Sequence, residues 1–152
     1  MVCFGAVLFD EALDKSFYGQ TRPISDRFSP EALAVSSFSR EQHLAFEDPK
    51  AVMERFSAWL EAHSKGRPVF VSDNVAFDWQ FINYYFHRFL GRNPFGFSGR
   101  RIGDLYAGLV KDIHKATEWK RYRVTSHTHN PVDDARGNAE ALRKFRDLGL
   151  RL

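Results

Sequence analysis

Cysteine is almost absent from this chain. Cys3 is the single one, which excludes an internal disulfide framework and fits a reducing cytosol. No stretch approaches the roughly 20 consecutive apolar residues needed to cross a bilayer. No basic start runs into a hydrophobic leader with a small-residue cleavage site. A cytoplasmic protein without a membrane segment is therefore expected. Repeats and low-complexity tracts are lacking too. A zinc site from His127, His129 and Cys3 would match no recognised ligand spacing. What remains is a chain of 152 residues, 43% hydrophobic and 15% aromatic, long enough for one domain over 1–152 with its own core.

The formal charge is +3 and the sequence pI about 9.1. That mild excess excludes little, since many enzymes carry it. Its placement says more: Arg100, Arg101, Lys111, Lys115, Lys120, Arg121 and Arg123 precede His129 within one stretch. Such a run is a solvated face or a groove that tracks phosphates.

Hydrophobic patterning predicts a strand over Val2 to Phe9 and a hairpin partner over Lys15 to Arg22, ended by Pro23. Ser29-Pro30-Glu31 and Ser39-Arg40-Glu41-Gln42 read as starts of short helices. Asp48-Pro49 opens a longer one with Val52, Phe56, Trp59, Leu60 and His63 on its inner stripe. Val69-Phe70-Val71 reads as a buried strand leading to Asp73 and Asn74. A helix follows from Ala76 to Leu90, with Phe77, Phe81, Tyr85 and Phe89 as its apolar line. Gly91 to Arg101 reads as a loop, Asp104 as the cap of a helix through His114, 116–128 as a basic linker, and Asp133 to Leu148 as the last helix. Strands first, then alternating helix and strand, indicate an α/β fold with a mixed sheet covered by helices.

Two segments carry chemistry. In His129-Asn130-Pro131-Val132-Asp133-Asp134-Ala135 a loop histidine is followed five positions later by a carboxylate at a helix start. Asp134 can hold a cation there while His129 takes a proton from water. His127 could equally serve as the base, though it stands two residues off that spacing. In Asn74-Val75-Ala76-Phe77-Asp78-Trp79-Gln80-Phe81, Asp78 lies in the first turn of a second helix, where the positive helix end favours a carboxylate. Taken singly, each acid is an ordinary first-turn residue and His129 an ordinary turn histidine. Their order along the chain, strand, Asn, Asp, basic segment, His, Asp, strengthens all of them.

The segment 74–81 resembles the second motif of the DEDDh 3′–5′ exonucleases, and 129–135 resembles the third. Phe4 to Asp10 and Phe17-Tyr18 are similar to that family's second and third strands, so the resemblance spans nearly the whole chain. It implies a ribonuclease H-like fold and hydrolysis of terminal phosphodiesters in RNA or single-stranded DNA. It also implies two Mg²⁺ or Mn²⁺ ions held by carboxylates. By that resemblance His129 is the general base, Asp78 and Asp134 are metal ligands, and Asn74, Phe77, Arg121 and Arg123 meet the substrate. A homodimer would also accord with relatives that act on RNA.

The family's first motif, Asp-x-Glu on the opening strand, has no counterpart here. Asp10-Glu11 follows the strand and stands at the wrong end of the hairpin. The first central strand of the sheet is accordingly expected to be missing, the domain being N-terminally truncated relative to the family, most simply through a start at an internal methionine. Two further readings stand beside it. One is a catalytically dead nucleic-acid-binding module of the same fold; the other is a strand supplied by another chain.

Overall fold

The computed structural model describes residues 1–151. Strand β1 (Cys3–Val7) pairs antiparallel with β2 (Ser16–Gln20), Phe4 opposite Gly19 and Ala6 opposite Phe17. Asp10 shapes the connector: its Oδ1 accepts from the amides of Ala12 and Leu13, and its Oδ2 from Lys15 Nζ at 2.8 Å. Both members of Asp10-Glu11 thus lie in the turn beyond the strand.

Capping signals place the next helices as expected. Ser29 accepts from Ala32 N to open α1 (Pro30–Val35). Ser39 and Gln42 form a reciprocal capping box at α2 (Arg40–Leu44). Asp48 accepts from Lys50 N at 2.9 Å ahead of α3 (Pro49–His63). A three-residue strand, β3 (Phe70–Ser72), feeds α4 (Val75–Leu90), which Gly91 ends at φ 69° in the left-handed region open to glycine.

Four expectations change beyond that point. Gly99–Arg101 is not loop but β4, parallel to β3 with Val71 opposite Arg100. Helix α5 spans Ile102–Val110 with Arg101 at its cap position, so Asp104 is a first-turn acid paired with Arg101 rather than the cap. That helix stops at Val110, short of His114, and a 3₁₀ turn, Ile113–Lys115, follows; the basic linker contains a second, Glu118–Tyr122. Helix α6 (Pro131–Asp147) begins earlier than Asp133, because Asn130 caps it by accepting from Val132 N at 2.9 Å.

The four strands form two separate two-stranded sheets, β1-β2 and β3-β4, rather than one mixed sheet. The hairpin bonds Thr21 N to Val2 O and Leu8 N to Lys15 O set the register. Even-numbered β1 residues therefore bond toward β2, and the backbone groups of Cys3, Gly5 and Val7 face away from it. Among the described residues β3 likewise bonds only to β4.

Two cores flank this gap. One joins Phe4, Val52, Met53, Phe56, Ile82, Tyr85, Phe86 and Phe95, with Phe17, Trp59 and Phe70 against it. The other joins Ile102, Tyr106, Trp119, Ala141, Leu142 and Phe145 from α5, the second 3₁₀ turn and α6. Trp119 and Phe95 are thereby core residues and not base-stacking platforms. Among the described residues no helix is long and apolar enough to cross a membrane.

Candidate functional site

A cleft of about 1160 Å³ lies between the two sheets, bordered by β1, β3, the first turn of α4 and one stripe of α6. Asp78, His129 and Asp134 all line it. Three elements bring them there, and each is fixed by its own local chemistry.

Helix α6 reaches the cleft because Gly5 has no side chain. A Cβ on Gly5 would stand 2.5 Å from Pro131 C and 2.6 Å from Val132 N, so any larger residue would push the helix start off β1. With Asn130 capping the helix, neither Asp133 nor Asp134 is consumed as a cap. Asp133 Oδ2 accepts from Thr128 Oγ1 at 3.0 Å. Asp134 is left to meet His127 Nδ1 at 2.6 Å and Arg123 Nη2 at 3.4 Å. Only 23% of its side chain is exposed.

The histidine loop is held by α6 itself. Glu140 accepts from Val124 N at 2.8 Å, Thr125 N at 2.7 Å and Thr125 Oγ1 at 2.8 Å. Burial works to raise the Glu140 pKa, but these hydrogen bonds outweigh it and hold the carboxylate below its ordinary value. Gly137 lets the loop pass close: a Cβ there would stand 2.5 Å from Arg123 Nε and 2.9 Å from Thr125 O. His129 itself sits at φ 63°, a left-handed turn residue. The reversal brings the His127 and His129 rings to 4.5 Å, edge to face. The side-chain donors of His127, His129 and Asp134 lie within 4.8 Å of one another.

Asp78 enters the cleft from α4 and stands apart from that cluster. Half-buried, it makes no ion pair among the described residues. Burial first, and then the neighbouring Asp73 charge, push its pKa above the ordinary carboxylate value. The Ser72 hydroxyl and the Asn74 backbone act in the opposite direction. Ser72 Oγ is buried next to it without a hydrogen bond of ordinary geometry, and burial outweighs the hydroxyl's effect.

A 3'-5' DNA exonuclease, Cap18 of Escherichia coli, is 36% identical to this chain over 151 residues, which cover 94% of the chain and 80% of the relative. The chain belongs to that exonuclease family. No family model matches it.

Within this member of the family, the remaining residues expected at the site fall in different places. Phe77 is 55% exposed and lines the cleft, its ring edge-on to Phe81 at 5.1 Å. It is not the core residue that a spacing of fours suggested. Four residues turn a helix by about 400°, so such a line drifts around it. The buried line is instead Ile82, Tyr85 and Phe86.

Asn74, Arg121 and Arg123 are outside the cleft lining. Asn74 is exposed at the α4 cap position without a side-chain cap bond. Arg121 Nη2 donates to Tyr106 Oη at 2.7 Å and Tyr122 Oη at 3.1 Å, with Glu118 at 3.4 Å from Nη1. Arg123 supports Asp134. Of the other basic residues, Lys120 meets Asp73 at 3.2 Å, Lys115 meets Asp112 and Arg101 meets Asp104. Arg100, exposed on β4, lines the cleft without an ion pair among the described residues. The basic run signalled it, but its reading as loop hid where it points. Glu140 gave no local signal.

Proposed function

We propose that the chain is a 3′–5′ exonuclease that trims single-stranded DNA ends, with Asp78 and Asp134 holding a divalent cation and His129 acting as general base. The reading rests on one observation: two acids and an imidazole from separate elements line a single cleft. The DNA preference comes from the name of the Escherichia coli relative; RNA is the substrate to test beside it.

The donor set suits Mg²⁺ or Mn²⁺, since oxygen ligands match hard cations. Asp78, unpaired and poorly solvated, gains most from a cation. When bound, the ion supplies charge stabilisation at the reacting phosphate. His129 accepts the proton of the attacking water, a role to which an imidazole is suited close to neutrality. That water adds to the terminal phosphorus, and the 3′ oxygen of the preceding nucleotide leaves, releasing a nucleoside 5′-monophosphate. Phe77 stacks on a base at the cleft mouth, and Arg100 meets a backbone phosphate. Arg123 orients Asp134, while Asn74 and Arg121 lie at the rim.

Two carboxylates suit one cation better than two. A pair of divalent ions about 4 Å apart repel by about 4 kcal/mol even at the dielectric of water. The family's two-ion scheme therefore calls for further acids. A ribonuclease H-like sheet lacking its central strand accounts for the arrangement, because β1 and β3 each bond on one side and border the cleft. A cytoplasmic setting agrees with the lone cysteine. Association into a homodimer belongs to the same reading and would double the mass seen by light scattering.

The test is a 5′-labelled single strand of DNA, and its RNA counterpart, incubated with Mn²⁺ or with EDTA. Stepwise shortening from the 3′ end with Mn²⁺ alone is the expected result. DNA that is bound yet stays intact with Mn²⁺ would favour the dead binding module instead.

A further inference from the structure

His127 has no part in the proposed hydrolysis, yet it is the residue that Asp134 touches most closely, at 2.6 Å. With His129 it completes a group of two imidazoles and one carboxylate whose donors all lie within 4.8 Å. Cys3 is not in the group. We infer that His127, His129 and Asp134 form a binding site for Zn²⁺, separate in kind from the hard-cation site on Asp78. Its occupancy switches off the exonuclease reaction by occupying the base and one acid, a consequence that rests on the proposed function.

The donor chemistry decides the class of ion. Imidazole nitrogens suit Zn²⁺, Cu²⁺ and Ni²⁺, whereas Mg²⁺ keeps to an octahedron of oxygens and waters. Three protein ligands with a fourth position open to solvent is the usual arrangement for an accessible Zn²⁺. Both histidines are exposed, so the ion enters without displacing core.

The geometry needs only small adjustments. Zn–N and Zn–O bonds of about 2.05 Å at the tetrahedral angle set donors about 3.3 Å apart. The His127–Asp134 contact opens slightly and His129 closes in; in exposed side chains both are rotamer changes. His127 then presents the Nδ1 lone pair to the ion and carries its proton on Nε2. Outer partners are already present: Arg123 on Asp134, Thr128 bracing Asp133, and the Glu140 clamp on the loop.

Co²⁺ titration of the whole chain, followed by its visible ligand-field bands, tests the site without reference to turnover. One Co²⁺ per chain is expected to give bands stronger than those of the aqueous ion, discharged by one equivalent of Zn²⁺ but not by a thousandfold excess of Mg²⁺. His127→Asn and His129→Asn each weaken Zn²⁺ binding at least tenfold. Asp78→Asn and the exposed control His114→Asn leave it unchanged. Absence of the bands, or Zn²⁺ affinity in His127→Asn equal to the parent, overturns the inference. Failure of the hydrolytic reading shows differently: Mn²⁺-dependent trimming is absent from the parent chain while the Co²⁺ bands persist. With both readings correct, micromolar Zn²⁺ stops trimming in the parent and far less so in His127→Asn.

Discussion

The cleft has two ends, and they are built on opposite plans. Asp134 is held by a network: His127 at 2.6 Å, Arg123 at 3.4 Å, and a loop tied down by three bonds to Glu140. Asp78 has no ionic partner among the described residues and lies beside a buried Ser72 hydroxyl that makes no hydrogen bond of ordinary geometry. The first acid is oriented by its protein partners. The second is kept poorly solvated, which raises its pKa. Orientation and poor solvation are thus divided between two helix starts, and substitutions at each end should fail in different ways.

Asp78→Asn should have the largest effect on activity, with Mn²⁺-dependent nucleotide release falling by about 10³, because a ligand is lost. The fold should survive. His129→Ala should cost about 10² in kcat with little change in KM, as expected for removal of a general base. Unchanged turnover would take His129 out of the chemistry. Gly5→Ala strikes between the two ends: the added carbon displaces the α6 start, and both activity and stability should fall, the latter by about 2 kcal/mol in urea unfolding. Gly5→Ala with parental stability would contradict the close approach.

Glu140→Ala should destabilise by about 2 kcal/mol, since it leaves two backbone amides without their acceptor. The depressed Glu140 pKa means that its contribution is present above the unfolded carboxylate pKa. It is lost as pH falls through the folded value, so loop amides 124 and 125 should lose hydrogen-exchange protection in acid. Asp78 has the reverse sign. Its raised pKa makes the ion-free protein less stable as pH climbs from the ordinary carboxylate range through the folded value. In EDTA at neutral pH, Asp78→Asn should therefore raise Tm slightly, by about 1–2 °C. A lower Tm would mean that the carboxylate makes stabilising bonds absent from the structure.

The two ends also differ in how much of them the sequence disclosed. Asp134 and His129 were legible because their spacing is local: five residues, one loop and one helix turn. Helix starts at Ser29, Ser39 and Asp48 were legible for the same reason, each cap bonding within three residues. Asn130 was overlooked as a cap because the two following acids offered rival candidates. Strand β4 escaped because Gly99-Arg100-Arg101 has no apolar residue and owes its form to β3 alongside. Arg100 was hidden with it. Glu140 and Gly137 hold a loop 12 to 16 residues away, and nothing in the intervening sequence announces such a bond. The two-sheet gap needed coordinates, since strand edges show only when partners are placed.

Mn²⁺ calorimetry on the parent chain, Asp78→Asn, Asp134→Asn and the double variant bears most directly on the proposal that the acids of α4 and α6 converge on one cation. Each single change should weaken binding at least tenfold, and the double change should be far from additive, because either loss already dismantles the shared site. Binding as tight as the parent's in either single variant, or losses that simply add, would contradict it.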